Sequence, residues 1–79
     1  MAMKLLYFAV LREKLRKSEE EVEFQGTVSE LRAFLMQKYP ELESLFRVVR
    51  FAVQEEYVDE EHFLKGQEQV AVIPPVSGG

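Results

Sequence analysis

The sequence predicts an α+β domain in which one main helix packs on one face of a mixed sheet. Three features indicate this: an apolar run at Met3–Leu11, a capped amphipathic segment from Thr27, and an apolar strand pattern at Gln69–Ile73. With 79 residues the chain is long enough for one domain and too short for two. We therefore expect residues 1–79 to form a single domain with a flexible C-terminal tail over residues 74–79.

The composition excludes several classes of function. The chain has no Cys and a single His, so it can build neither a disulfide framework nor a thiolate metal site nor a cysteine nucleophile. Its net charge of -4 argues against a nucleic-acid partner, because neutralising phosphates requires a surplus of Lys and Arg. No apolar run approaches the ~20 residues of a membrane span, and the N-terminus has no signal-peptide pattern. We expect a cytoplasmic protein that does not enter a membrane.

The first strand is predicted over Met3–Leu11, where aromatic and aliphatic side chains dominate. Because successive strand residues alternate sides, both faces of this strand are apolar. The basic segment at 12–17 predicts a turn with helical tendency, and we expect a second strand at Glu21–Gln25.

The main helix is predicted to start at Thr27, which forms a T-x-x-E capping box with Glu30. Pro40 ends it. Arg32 is expected to lie on the face exposed to water. The apolar stripe that faces the sheet consists of Val28, Leu31, Phe34, Leu35 and Tyr39.

The rest of the chain alternates short apolar segments with turns, and Pro74-Pro75 ends the last strand because it removes two backbone donors. In order, we predict a short amphipathic turn at residues 42–46, a strand at Val48–Gln54, a tight turn at Glu55–Glu56, a strand at Tyr57–Val58, a loop or helical turn at Asp59–Leu64, and a strand at Gln69–Ile73.

One helix can cover only one face of this sheet, so apolar surface remains on the other. The predicted core beneath the helix is Leu5, Tyr7, Phe51, Val53, Val70 and Val72. The predicted uncovered face is Leu6, Phe8, Ala52, Ala71 and Ile73. A surplus apolar patch on a small protein indicates a site for a partner.

The C-terminal segment PPVSGG is the most informative motif. The proline pair favours a stiff, extended chain, and Gly78 and Gly79 lack side chains, so the terminal peptide can enter a narrow channel. A terminal carboxyl is an anion at neutral pH and a poor electrophile, so a partner enzyme that uses ATP would have to activate it. These features indicate a substrate or carrier.

The sequence resembles the small subunit of molybdopterin synthase, a family of ubiquitin-like sulfur carriers with a β-grasp fold. The resemblance lies in LYFAVLREKL, TVSELRAFL and GQEQVAVIPPVSGG. It implies that an E1-like enzyme adenylates the Gly79 carboxylate and that a sulfur donor protein converts it to a thiocarboxylate. The thiocarboxylate would then attack a pyranopterin precursor in the large synthase subunit. The carrier itself would bind no cofactor and would act as the non-catalytic, sulfur-donating subunit of a heterotetramer.

The resemblance also implies which residues meet the partner. Those at the partner surface are Phe8, Arg12, Tyr57 and Ile73, and those that thread the tunnel are Pro74, Pro75, Val76, Ser77 and Gly78. The sequence departs from related chains at Gln54-Glu55, where an Asn-led turn is common, and at Tyr57, which is often aliphatic.

Other functions remain open. A terminal Gly-Gly is shared with the sulfur carriers of thiamine synthesis and tRNA thiolation and with protein modifiers that are conjugated to lysines. An interaction module with an inert tail is a third class. The run Asp59–His62 combines three carboxylates and an imidazole, but its spacing fits no metal-binding loop, and we predict a solvated acidic loop.

Overall fold

A five-stranded mixed sheet organises the computed structural model, which describes residues 2–75. The elements in chain order are β1 (Met3–Tyr7), α1 (Ala9–Leu15), β2 (Glu19–Val22), β3 (Gly26–Thr27), α2 (Val28–Lys38), a 3-10 turn (Pro40–Leu42), α3 (Glu43–Val48), β4 (Arg50–Val53), β5 (Glu56–Val58), β6 (Phe63–Leu64) and β7 (Gln69–Ile73). The strand order is β2-β1-β7-β4-β5, with β1 parallel to β7 and the other pairs antiparallel. The predicted α+β class is confirmed.

Helix α2 covers one face of the sheet, and it starts where the capping box predicts. The Glu30 backbone N–H donates to Thr27 Oγ1 at 3.1 Å, and the Thr27 N–H donates to Glu30 Oε1 at 2.8 Å. The fully buried side chains of α2 are Val28, Leu31 and Leu35. Beneath them lie Met3, Leu5, Tyr7, Val22, Phe51, Val70 and Val72. Burial of each aliphatic side chain contributes about 2 kcal/mol.

Within residues 2–75, no helix has the length and apolar character to span a membrane.

The prediction of one strand over Met3–Leu11 is wrong beyond Tyr7, because residues 9–15 form α1. Ala9, with a φ of 52°, turns the chain away from the sheet. Leu11 and Leu15 then lie four residues apart on one helical side, with Leu11 buried and Leu15 packed on the core. The apolar run therefore contains a strand followed by the start of a helix, and the strand pattern concealed the helical one.

The second strand is Glu19–Val22 and not Glu21–Gln25. Pairing of Met3 with Val22 and Leu6 with Glu19 sets its register, and Phe24 lies beyond its end with its ring 5.7 Å from that of Phe34.

Two further segments differ from the prediction. The small ribbon β3–β6 pairs Gly26 with Leu64, so the segment expected as a loop or helical turn ends in a strand. Strand β4 starts at Arg50 because α3 continues to Val48. The turn after β4 is at Gln54-Glu55, one residue earlier than expected.

Arg32 was expected to face water and is instead mostly buried, with 17% of its side chain exposed. Its Nη1 donates to the carbonyls of Phe46 and Val49, each at 2.8 Å, and its Nη2 pairs with Glu60 at 2.6 Å. Those carbonyls lie near the end of α3, where the last carbonyl groups of a helix have no donor within the helix. Arg32 therefore ties α2 to the end of α3 and to the acidic loop.

A second polar cluster closes the core beside β2. The Glu20 carboxylate accepts hydrogen bonds from the hydroxyls of Tyr7 (2.7 Å) and Tyr39 (2.9 Å), and Lys38 Nζ lies 2.7 Å away. Burial alone would raise the pKa of Glu20, but the hydrogen bonds from Lys38, Tyr7 and Tyr39 outweigh it and lower the pKa to about 2. Glu20 is thus an anion that holds β1, β2 and the end of α2 together.

Candidate protein-docking surface

The face of the sheet that α2 leaves uncovered is a wide groove of about 1160 Å³. Its middle row runs across four strands: Leu6 pairs with Ala71, Ala71 with Ala52, and Ala52 with Tyr57. These residues alternate with core residues, so the predicted division of the strands into two faces is confirmed except at Val53, which was predicted for the core but is only partly buried against it and also lines the groove. Each predicted member of the uncovered face lines the groove: Leu6, Phe8, Ala52, Ala71 and Ile73.

One end of the groove is the point where β7 ends. Ile73 is the last residue of this central strand and pairs with Arg50. Phe8 follows β1, which runs parallel to β7, and is 43% exposed. Pro74 is buried, whereas Pro75, the last described residue, is exposed.

The structure brings three of the predicted partner contacts together. Phe8, Tyr57 and Ile73 line the same groove, and Tyr57 is 59% exposed. Arg12 is exposed on α1 and does not line the groove. The remaining predicted residues, Val76, Ser77, Gly78 and Gly79, lie outside the described residues. That these residues meet a partner stays a prediction.

Arg50 is a residue of this face that the sequence argument missed. Its guanidinium lies over the Tyr57 ring, 4.6 Å from the ring centroid. Phe51 is buried on the other face, so strand alternation places Arg50 beside Ala52 and Ile73. That alternation was the available signal, since Arg50 lies inside the predicted strand Val48–Gln54, but only the apolar residues of that strand were assigned to a face.

The opposite end of the groove is acidic, with Glu55 and Glu68 at its rim. The Glu68 carboxylate accepts hydrogen bonds from the backbone N–H groups of Lys65 (2.7 Å), Gly66 (2.9 Å) and Gln67 (3.1 Å). Burial would raise the pKa of Glu68, but these backbone hydrogen bonds outweigh it and lower the pKa. The charged carboxylate therefore organises the loop that leads into β7.

Gly66 is required in that loop. Its φ is +102°, and a Cβ there would lie 2.9 Å from the carbonyl oxygen of Phe24. The loop that leads into β7, a strand of the groove, therefore contains a position at which any larger residue would strain the backbone.

The groove has the chemistry of a binding surface. Its centre consists of apolar side chains and its rim of Gln and Glu, which is the arrangement of a protein interface. Within residues 2–75, no group of three His, Asp or Glu side chains is placed to hold a metal ion. The arrangement fits docking of another protein over Leu6, Phe8, Tyr57 and Ile73.

Solved structures share this fold. SAMP1 from Haloferax volcanii superimposes with a TM-score of 0.79 at 25% identity, covering 100% of both chains. A complex of subunits 1 and 2 of the molybdopterin-converting factor from Helicobacter pylori contains a chain with a TM-score of 0.69 at 22% identity, again covering 100% of both. The ubiquitin-like β-grasp fold implied by the resemblance is confirmed.

Sequence comparisons are more specific. Residues 5–79 match the model of the ThiS family. The molybdopterin synthase sulfur carrier subunit of Chlamydomonas reinhardtii is 39% identical, covering 100% of both chains, and that of Caenorhabditis briggsae is 36% identical, covering 100% of this chain and 99% of the other. The chain belongs to the ThiS family and, within it, to the sulfur carrier subunits of molybdopterin synthase.

Proposed function

We propose that this chain carries sulfur for molybdenum cofactor biosynthesis as a thiocarboxylate on Gly79. The structural observation that carries the proposal is the position of β7. This central strand ends at Ile73, which lines the open groove, and Pro75 is exposed two residues further on, so the PPVSGG segment begins beside the docking surface. Full-length relatives named as sulfur carrier subunits support the same function.

The chemistry follows from the weakness of a carboxylate as an electrophile. On an E1-like adenylating enzyme, the Gly79 carboxylate attacks the α-phosphorus of ATP and releases pyrophosphate, which gives an acyl adenylate. The outer sulfur of a persulfide on a donor protein then displaces AMP, which gives an acyl disulfide between Gly79 and the donor. A thiol of the donor system cleaves the S–S bond, so that the thiocarboxylate stays on Gly79 and a disulfide forms on the donor side. The chain has no Cys of its own, so its backbone terminus carries the sulfur. Because activation uses ATP, we place this cycle in the cytoplasm.

The loaded carrier then docks on the large synthase subunit through Phe8, Tyr57 and Ile73, with Arg12 on α1 as a further contact. The segment from Pro74 to Gly78 leads Gly79 into the active site of that subunit. There the thiocarboxylate attacks the pyranopterin precursor, and two transfers build the dithiolene. The Helicobacter pylori complex of subunits 1 and 2 supports a partner of this kind.

A second candidate is conjugation to lysines as a protein modifier. The fold match to SAMP1 favours it, because related structures carry the name small archaeal modifier protein 1. Both functions use Gly79, and they differ in what accepts the activated carbonyl: a sulfur atom in the carrier, a lysine amine in the modifier.

The test is the intact mass of the chain isolated from its own cells. A carrier shows partial replacement of one terminal oxygen by sulfur, and co-purifies with the large synthase subunit. A modifier leaves Gly-Gly remnants on lysines of other proteins. Co-purification with a thiazole synthase or a tRNA thiolase instead would assign the sulfur to another pathway.

Deleting Gly79 provides the matched variant. We expect it to abolish the mass change and sulfur transfer while thermal unfolding stays the same as in the wild type, because residues 2–75 already contain the sheet and its core. Deleting Ala2, which is exposed at the other end of the chain, is the control and should leave sulfur loading unchanged. Sulfur loading that persists without Gly79 would disprove the proposed role of this residue.

A further inference from the structure

Two cations lie on the open face of the sheet by strand alternation, Lys4 and Arg50. Lys4 Nζ has an acidic neighbour, Glu19 Oε2, at 3.8 Å. Arg50 forms no salt bridge with any acidic group in the described part of the chain. It is exposed, and its guanidinium carbon lies 4.6 Å from the centroid of the Tyr57 ring, which itself lines the groove.

The groove is therefore electrostatically asymmetric along the strands. Arg50 lies at the end of the groove where β7 ends, beside Ile73. Glu55 and Glu68 lie at the other end, beyond the end of β4 and before the start of β7. Lys4 also lies at that end, where Glu19 is its acidic neighbour. A partner that covers this face therefore meets a positive charge next to the end of β7 and a mainly acidic rim near its start.

Covering the groove would also remove water from Arg50. A guanidinium that loses its hydration without an anionic partner is strongly destabilised, and stacking on one tyrosine ring returns only part of that loss. The fork of donors on an arginine matches a carboxylate in two parallel hydrogen bonds, which gives orientation as well as attraction.

We propose that the large synthase subunit presents a carboxylate side chain to Arg50, at the rim of the site that receives the tail. This inference rests on the function proposed above and adds the polarity of docking. The Arg50–Tyr57 pair fixes how the carrier is oriented on its partner, so that the PPVSGG segment points into the active site. Arg50 is a positioning residue and takes no part in the transfer of sulfur.

The experiment measures binding of the purified large subunit to the full-length chain by titration calorimetry. Arg50→Glu is expected to weaken binding by at least about 30-fold, and Arg50→Gln by about 10-fold, because truncation or reversal of a buried charge pair acts on the dissociation rate. Arg47→Glu makes the same change in net charge on α3, at a side chain 64% exposed, and should weaken binding by less than about 3-fold. Thermal melts of the variants verify that each is folded.

A charge-swap experiment separates this role from a structural one. Single Asp or Glu residues around the tail entrance of the large subunit are changed to Arg, and one of these variants should restore binding of Arg50→Glu. If no variant restores binding, or if Arg50→Glu binds as well as Arg47→Glu, the inference is wrong and the proposed function stands. If the wild-type chain itself does not bind the large subunit, the proposed function fails and this inference fails with it.

Discussion

The two faces of the sheet are built from the same strands, but α2 covers one face and the other lines an open groove. Leu5 and Leu6 are neighbours in β1, yet Leu5 is completely buried under α2, whereas Leu6 lines the open groove. The same alternation separates Val72 from Ile73 and Phe51 from Ala52. One strand thus supplies core side chains on one side and the lining of an open groove on the other, with no extra length of chain.

The polar groups differ between the faces in the same way. On the covered side, Arg32 and Glu20 are held by several partners each. Arg32 connects α2 to the end of α3 and to the acidic loop, and Glu20 connects β2 to β1 and to the end of α2. Among the described residues, no buried polar side-chain atom lacks a hydrogen-bond partner. On the open side, Arg50 rests on an aromatic ring and forms no salt bridge with an acidic group of residues 2–75. The charged groups of the covered side are thus held within the fold, whereas the guanidinium of Arg50 is exposed to water.

The largest expected effect comes from cutting the same side chain on either face of β1. Leu5→Ala should lower the free energy of unfolding by about 3 kcal/mol, because it leaves a cavity in the core beneath α2. Leu6→Ala, the matched variant, should lower it by less than about 1 kcal/mol, since the side chain lies in an open groove. Urea unfolding measures both. Equal losses would show that the open face is packed in solution.

A smaller effect is expected from Glu20, which belongs to the covered side. Glu20→Gln should cost about 2 kcal/mol, because it removes the charge that accepts hydrogen bonds from two tyrosines and pairs with Lys38. The control is Glu19→Gln, at an adjacent side chain 56% exposed, with a loss below about 0.5 kcal/mol.

The same substitution changes the dependence of stability on pH. The pKa of Glu20 is lowered in the folded state, from 4.5 to about 2, so the unfolded chain takes up a proton first as the pH falls. The stabilisation is present above pH 4.5 and is lost between about pH 4.5 and pH 2. Urea unfolding over this range should show a steeper loss for the wild type than for Glu20→Gln. Parallel profiles would mean that Glu20 does not titrate in this window.

The smallest effect is expected at the hairpin turn on the rim of the open face. Gln54 and Glu55 both have positive φ, 53° and 67°, a conformation that favours Asn and Gly. Replacing the pair by Asn-Gly should raise the free energy of unfolding by about 1 kcal/mol. Gln25→Asn, at an exposed position whose φ is not positive, should have no such effect. A destabilised double variant would show that the original side chains support the turn through contacts.

Much of the fold could be predicted from the sequence because its signals are local. The capping box of Thr27 and Glu30 is present as predicted, and β7 has the predicted bounds. The division of residues such as Leu5 and Leu6 between two faces was also predictable, because alternation along a strand is geometric. Two of the failures, α1 and the ribbon of Gly26 with Leu64, come from segments where local pattern is ambiguous or only two residues long.

The residues of the candidate site likewise divide into those that the sequence predicts and those that only the structure shows. Phe8 and Ile73 were placed on the open face by alternation alone, and Tyr57 by family resemblance. The contact of Arg50 with Tyr57 joins two strands across the β4–β5 hairpin. The burial of Arg32 depends on carbonyls 14 and 17 residues further along the chain.

By itself the sequence determined the class of fold, the cap of the main helix, the two faces of the strands and the PPVSGG segment. Each depends on residues within a few positions of one another, where backbone geometry leaves little choice. Only the tertiary structure decided which polar groups are held by several partners, as Arg32 and Glu20 are, and which stay exposed, as Arg50 does. That outcome depends on which distant carbonyls, carboxylates and rings packing brings within a few ångströms, and no local pattern carries those distances.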